Sequence, residues 1–367
     1  MKNPMEQKPR VSIIFVNYNG KAHFDLFIKS LSTQTYQDFE LIMVDNDSSD
    51  DSVEYVRKNF PEVKVVEATQ NLGFGAGNNL GVKYSRGELI VFTNYDVEFD
   101  GDWLANMVAT ANESEIVGLV APKIMYFDKR DVVQTCGLTF QYTGHAFSRG
   151  LGEPSENYAQ REAIGSVTGC AFLIKRSVID RIGAFDEEFH KFGDFFFSSL
   201  EDVDLSWRSQ LAGYQVIFEP TAIMYHKYEQ KPLTPLRYYY LECGRYYSIL
   251  KNYSLFSLIL LSPAFLLSEI LGLGYVSLKG RDYFTAKMRM YAWLLKKSTT
   301  VSVARKRTQA LRSSSDFLIL GRFEAKTEAR HIGLPKIVKN WIEGFVNSLF
   351  CLHQRIVLRI LDAFAKY

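Results

Sequence analysis

Cysteine is scarce and scattered in this 367-residue chain: Cys136, Cys170, Cys243 and Cys351 lie far apart, and no two form a C-x-x-C pair. That excludes a zinc ribbon or a dithiol redox motif and suits a reducing compartment. A signal peptide is not expected either. The first ten residues are polar and basic, and the apolar run Val11–Val16 is too short for an h-region, so the N-terminal part is expected to stay in the cytosol. No Gly-Lys-Ser/Thr follows a glycine-rich loop, and the stretch Asn71–Asn79 lacks the third glycine of a dinucleotide fingerprint. Both absences argue against a kinase or a dehydrogenase. Zinc-finger spacing, RNP-like aromatics and basic-zipper heptads are missing, which argues against nucleic acid as a partner. Internal repeats and low-complexity tracts are absent too. The longest stretch without charge near the C-terminus, Asn252 to Ser268, has 17 residues and carries Pro263, with Glu269 at its end. It sits at the lower edge of spanning length, so the expectation is an interfacial or re-entrant helical hairpin.

What is present is a globular composition with 14% aromatics, concentrated around residues 185–197 and 238–256. The net charge of +2 conceals an asymmetry: residues 279–367 carry 18 Lys+Arg against 6 Asp+Glu, and the rest of the chain is acidic. A basic region rich in Leu, Ile and Phe points to an anionic membrane surface. Within it, Trp341, Phe345, Leu349, Leu352, Ile356 and Ile360 recur at three or four residues over 338–365. That is the pattern of a helix lying in the membrane plane, the alternative being a helix packed on the catalytic domain.

Three short apolar runs, Val11–Val16, Leu41–Val44 and Leu89–Phe92, read as strands, with helical stretches His23–Thr33 and Asp51–Phe60 between them. Strands alternating with helices predict a parallel sheet in an α/β fold, with ligands beyond the carboxyl ends of the strands. The tips there are Asn17-Tyr18-Asn19-Gly20, Asp45-Asn46-Asp47-Ser48 and Asn94-Tyr95-Asp96. Such residues also make ordinary turns, but three tips in succession carry Asn or Asp. The glycines of Asn71–Asn79, Gly75 among them, would let backbone approach a ligand before a helix. Gly169 lies in a small-residue turn that enters the buried strand ending at Ile174. The run Leu200–Arg208 packs Glu201, Asp202 and Asp204 into four residues and closes on Arg208. Such a cluster suits proton abstraction from an alcohol beside metal and phosphate; acidic residues also suit a solvated helix N-terminus. A strand-like run Gln215–Phe218, then a turn at Pro220, leads to His226.

The ordered set VSIIFVNYNG, VDNDSSDDS, NLGFGAGNN, FTNYDVEFD, VTGCAFLIKR, IGAFDEEF, EDVDLSWR and the histidine of MYHKY resembles the inverting, nucleotide-sugar-dependent glycosyltransferases of family 2. Within them it resembles the rhamnosyltransferase-like branch, over about residues 10–230. The resemblance implies an α/β GT-A fold: a Rossmann-like, mostly parallel sheet flanked by helices. Residues 1–237 would be the catalytic domain and residues 238–367 a basic, apolar helical region associated with the membrane.

By the same resemblance, Asn17, Tyr18, Asp45 and Asn46 would hold the nucleoside, with Gly75, Asn78, Asn94 and Tyr95 also on the nucleotide side. Asn78 stands where several relatives place a basic residue. The metal motif has two aspartates around one residue in the family; here it is Asn94-Tyr95-Asp96, so Asp96 is its one charged ligand. His226 matches the place of a second ligand, and the cation would be Mg²⁺ or Mn²⁺. Asp202 would be the base, since relatives use the aspartate of the Glu-Asp pair. Glu201 and Asp204 would orient the site, Arg208 would pair with a carboxylate or phosphate, and Gly169, Asp204 and Arg208 would face the sugar or acceptor. The expected reaction moves a sugar from a UDP- or dTDP-sugar to a hydroxyl of a lipid-linked glycan or polysaccharide, at the cytoplasmic face of the cell membrane, the enzyme being peripheral or monotopic. The competing readings are a polyprenyl-phosphate sugar synthase and a nucleotide-sugar-binding scaffold without catalysis.

Overall fold

The computed structural model describes residues 9–189, 200–229, 232–328 and 336–365. The polar residues 1–8 and the aromatic-rich stretch from 190 to 197 lie outside the described residues. Apolar runs with buried faces on both sides build the sheet centre, β1 (Val11–Asn17), β2 (Phe39–Asp45) and β4 (Leu89–Thr93), and the short, half-exposed β3 (Lys64–Glu67) closes one edge. Beyond them come β5 (Val97–Phe99), β6 (Val117–Tyr126), β7 (Val133–Thr135), the hairpin β8 (Leu138–Phe140) and β9 (Ala146–Ser148), β10 (Glu162–Ala163), β11 (Ala171–Lys175) and β12 (Gln215–His226).

The spatial order is β10-β12-β6-β11-β4-β1-β2-β3. β1 runs parallel to β2 and β4, and β6 parallel to β12, while β11 enters antiparallel between β4 and β6. The chain therefore winds outward from β1 to β3 and then returns to β4 on the other side of β1. That reversal creates a switch point at the carboxyl ends of β1 and β4, where α/β sheets bind ligands. Pro220 makes no terminating turn. β12 runs through it with a register shift between Glu219 and Ile223, because a proline that cannot donate to the ladder is accommodated at a bulge.

Helices α1 (Phe24–Ser32), α2 (Ser52–Asn59), α3 (Gly73–Tyr84), α4 (Trp103–Asn112) and α5 (Arg176–Ile182) flank the sheet. The glycine-rich segment belongs to α3 itself and forms no loop before it. Two of its glycines serve packing: a Cβ on Gly81 would lie 2.4 Å from Ile14 of β1, and one on Gly77 3.1 Å from Val16. Helix α6 (Glu201–Leu211) has all eleven residues buried, so its acidic start is no solvated N-terminus.

From Pro235 the chain is helical: α7 (Pro235–Asn252), α8 (Leu255–Lys279), α9 (Arg281–Lys296), α10 (Ser298–Ala310), α11 (Asp316–Leu320), α12 (Lys336–Trp341) and α13 (Asn347–Ala365), with a π-helical segment Ile342–Val346 before α13. These helices share one apolar cluster with α6 and the β8–β9 hairpin. Trp207 packs edge-on against Phe140, Tyr253 and Phe323, and each buried phenylalanine contributes about 1.5–3 kcal/mol relative to exposure. The expected hairpin in the uncharged stretch is instead the single 25-residue helix α8 with Pro263 inside it. It is the one helix, among the described residues, long and apolar enough to cross a membrane by length and composition, and little of it is buried. The 338–365 helix packs through Ile342, Val346, Phe350, Val357 and Leu361. Its other stripe, from Trp341 through Phe345, Leu349 and Leu352 to Ile356, stays exposed.

Candidate active site

A cavity of about 350 Å³ opens at the switch point. Val16 and Tyr18 reach it from the end of β1, Asn46 from β2, and Asn94, Tyr95 and Asp96 from β4. Asn71, Gly73 and Phe74 close one side at the start of α3; Thr168, Gly169 and Cys170 close the other at the entry to β11, with Asp202 of α6 beside them.

Asp202 is held there by backbone. The Gly169 N–H donates to Oδ2 at 2.7 Å and the Val203 N–H to Oδ1 at 2.8 Å. Burial disfavours its charge and raises the carboxyl above its ordinary value, while those two hydrogen bonds pull the other way. A buried carboxylate with raised proton affinity is a better base than a free one.

Asp96 meets His226 because β5, directly after it, pairs antiparallel with the end of β12, setting His226 opposite Val97. The imidazole Nε2 lies 3.3 Å from Asp96 Oδ1. That oxygen is buried and without a hydrogen-bond partner; the contact is an ion-pair distance lacking hydrogen-bond alignment. Burial would raise Asp96, but His226 outweighs it and holds the carboxyl below its ordinary value. His226 resists burial in turn: Cys170 and Asp96 push it up to about 10. Gln134 Oε1 lies 3.4 Å from the other ring nitrogen. Among the described residues, no group of three or more His, Cys, Asp or Glu is placed to hold a metal ion by itself. The Asp96 carboxylate at the cavity still fits a hard cation that takes most of its ligands from substrate phosphates, and His226, paired with it as an imidazolium, would join as a ligand on giving up its proton.

Several other expected residues do not line this cavity. Asn17 and Asp45 are buried and bonded to each other at 2.8 Å. Asn17 also accepts from the Gly20 N–H, and Asp45 from the Ser48 N–H, so they brace the ends of β1 and β2. Gly75 faces Phe185, 3.2 Å from where its Cβ would be, and Asn78 turns its amide back to the Phe74 carbonyl at 3.0 Å. Glu201 is buried near that same helix turn, its Cγ 3.8 Å from a Cβ on Gly75.

Asp204 and Arg208 stand away from the cavity altogether. The Arg208 guanidinium donates to Asp204 Oδ2 at 2.7 Å and to the carbonyls of Ile182 and Ala184, each at 2.7 Å. Asp204 in turn pairs with Lys251 of α7 at 2.8 Å. The expectation that they face the sugar is therefore corrected: their charges neutralise one another inside the joint between α6 and α7. Asn71, Phe74, Thr168 and Cys170 went unnamed as site residues, although they lie within two of the motifs quoted above.

Residues 12–183 match the family described as "Glycosyl transferase family 2". The chain carries a glycosyl transferase family 2 domain. It is 32% identical over 235 residues to an uncharacterised protein of Sinorhizobium fredii, 61% of this chain and 25% of that protein. It is 29% identical over 239 residues to the O-antigen biosynthesis protein RfbC of Myxococcus xanthus, 62% of this chain and 18% of the other. The chain thus spans a quarter or less of the length of these two relatives. An N-acetylglucosaminyl-diphospho-decaprenol L-rhamnosyltransferase of Mycobacterium tuberculosis is 24% identical over 244 residues, 59% of this chain and 75% of that one. Among solved structures, GalNAc-T7 with UDP, GalNAc and Mn²⁺ superposes with a TM-score of 0.53 at 16% identity, covering 65% of this chain and 48% of that one. The chain has the GT-A fold expected of it, a mixed sheet flanked by helices, followed from Pro235 by a helical C-terminal region.

Proposed function

We propose that this chain is an inverting glycosyltransferase that moves a sugar from a nucleotide-diphosphate sugar, UDP- or dTDP-linked, to a hydroxyl of a lipid-linked glycan or polysaccharide. One observation carries the reading: Asp202, buried and raised, and Asp96, ion-paired with His226, line the same cavity at the switch point.

The acceptor hydroxyl attacks the anomeric carbon from the face opposite the diphosphate. Its proton passes to the Asp202 carboxylate as the new C–O bond forms. The bond to the diphosphate breaks, and its electron pair leaves on the phosphate oxygen. Asp96, with His226 beside it, would hold Mg²⁺ or Mn²⁺, which when bound takes up charge on the diphosphate. Tyr18, Asn46 and Asn71 line the side of the cavity a nucleoside would enter, with Asn46 fixed by its amide to Asn71 Oδ1 at 2.8 Å and by the Leu72 N–H to its own Oδ1 at 2.8 Å. The Mycobacterium tuberculosis relative acts on a diphospho-decaprenol substrate by its name, which supports a lipid-linked acceptor. The exposed apolar residues of α8 and α13 support docking on the cytoplasmic membrane face.

Incubation with a panel of nucleotide sugars, with and without acceptor lipid, tests this. Transfer to a neutral hydroxyl with inversion at the anomeric carbon is the expected result. Transfer to a polyprenyl phosphate alone would replace the reading with a polyprenyl-phosphate sugar synthase. Donor binding with neither transfer nor hydrolysis would leave a scaffold.

A further inference from the structure

A second cavity, of about 440 Å³, lies outside the site described above. Its walls are mainly apolar: Leu241 of α7, Leu271 of α8, Val338 of α12, and Ile342 and Phe350 beyond it. At its mouth stand Ile270, Leu278 and Trp341, 58%, 67% and 49% exposed. These residues belong to the exposed apolar faces of α8 and α12, so the cavity opens onto the surface already read as facing lipid.

The polar inner end carries no spare charge. Arg245 pairs with Glu242 at 2.7 Å and with Glu269 at 3.4 Å. Lys287 pairs with Glu269 at 2.7 Å and with Glu242. Two acids and two bases close on one another. His145, 3.2 Å from Ser268 Oγ, adds none: burial, then Arg245, pushes its imidazole down to about 3. An anionic headgroup would find no unpaired cation among these residues, whereas a hydrocarbon chain needs none.

Leu200 joins this cavity to the catalytic one. It lines the apolar cavity, and two residues later Asp202 lines the site. The start of α6, from its N-cap Leu200 to Asp202, thus borders one space and then the other.

We infer that the apolar cavity takes one hydrocarbon chain of a lipid-linked acceptor, entering from the bilayer between α8 and α12, with the headgroup left on the Asp202 side of Leu200. The volume falls within the range of small-molecule sites, about 300–1,000 Å³, and holds one stretch of a chain. This rests on the reading of a lipid-linked acceptor. It adds where the lipid lies and predicts that chain length, as well as headgroup, sets acceptor affinity.

Two glycines of α8 give the test. Gly274 lines the cavity with nothing within 4 Å of a Cβ, and a Cβ on Gly272 would meet Lys287 Nζ only at 3.7 Å. Gly274→Leu adds a side chain where a Cβ meets nothing, and leucine suits a helix better than glycine, while Gly272→Val directs its methyls toward Lys287 Nζ and Tyr238 Oη, 3.7 and 4.0 Å from the Cβ, so thermal unfolding of both variants is measured alongside. The probes are bromoundecanol and its short analogue bromopropanol, added to the full chain without vesicles. Binding is read as quenching of Trp341 emission, with Trp341→Phe as the control that assigns the signal. Saturable quenching by the long probe, none by the short one, and an affinity loss of about tenfold or more in both glycine variants is the expected result. Unchanged affinity in both variants, or equal quenching by the two probes, would overturn the inference. Transfer to a short-chain acceptor, measured in parallel, reads the catalytic proposal separately: its loss in the native chain sinks that proposal and leaves the chain-binding result standing.

Discussion

At the residue scale, the site turns on what burial does to Asp202. An ordinary aspartate titrates near 3.9; burial raises this one. The carboxylate form is the base, so activity is present above the raised value and is lost as pH falls through it. The acidic limb of kcat/KM is expected above about 4, the ordinary aspartate value. A pH profile flat down to that point would remove Asp202 from the role. Asp202→Asn should lower turnover by about 10²–10⁴-fold, the usual weight of general-base help. Donor binding should persist, read as the thermal shift a nucleotide sugar confers on the variant. Asp96 makes a different demand. Asp96→Ala should abolish both activity and its dependence on added Mg²⁺ or Mn²⁺, whereas Asn94→Asp should tighten cation binding by restoring a second carboxylate. Full activity of the native chain in EDTA would refute that assignment.

At the element scale, α6 explains which parts of the site could be read from letters. Strand tips were legible because apolar runs fix β1, β2 and β4, and the residues after them must lie at the carboxyl edge. The direction of each side chain on a helix was not. Asp202 and Asp204 are two apart, so a helical turn of 3.6 residues sends them to different faces. One meets the Gly169 N–H at the cavity, the other meets Lys251 and Arg208 in the core. Residues 235–252 had to be seen as a helix docked on α6 before that second face had a partner. The same blindness applied to Gly75, Gly77 and Gly81 of α3, whose spacing suggests a ligand but whose contacts are Phe185, Val16 and Ile14, while Gly73 at the helix start does line the cavity. The structural role of Arg208 makes a distinct prediction. Arg208→Met leaves Asp204 and Lys251 to rebalance a buried network, and losing one partner of such a pair costs about 3–5 kcal/mol. Urea or thermal unfolding should show that loss, while KM for the donor in the folded fraction stays near the native value. A raised donor KM at unchanged stability would return Arg208 to the site. Asp186 belongs to the same joint. Burial raises it, but Lys251, 2.5 Å away, brings it down to about 2. Its contribution is therefore in place above the ordinary aspartate value and is lost as pH falls toward 2.

At the scale of the whole molecule, charge and apolar exposure coincide. The acidic part of the chain carries the site and the basic residues 279–367 lie in the helical region. Each basic residue near an anionic bilayer adds about 1 kcal/mol of attraction. The exposed stripe of α13, with Leu352 and Ile356 at 57% and 49%, adds area for insertion. On α8, Leu266 does the same, and Phe256 meets Phe364 with ring centroids 5.0 Å apart, so the two faces adjoin. Removing everything after residue 237 would be a poor test, because it strips Tyr253 and Phe323 from Trp207 and exposes a core. Charging the surface is cleaner. Leu352→Glu with Ile356→Glu alters two exposed side chains, and surface changes of this kind shift stability by about 0.5 kcal/mol or less. The native chain should float with anionic vesicles at low salt and fall away as salt screens the attraction. The double variant should remain in the aqueous fraction with its unfolding temperature unchanged. Equal flotation of both proteins would show that this stripe does not meet the bilayer. Native chain that resists both high salt and carbonate would mean that α8, whose 25 residues suffice for a span, crosses the membrane and the basic helices merely line its surface.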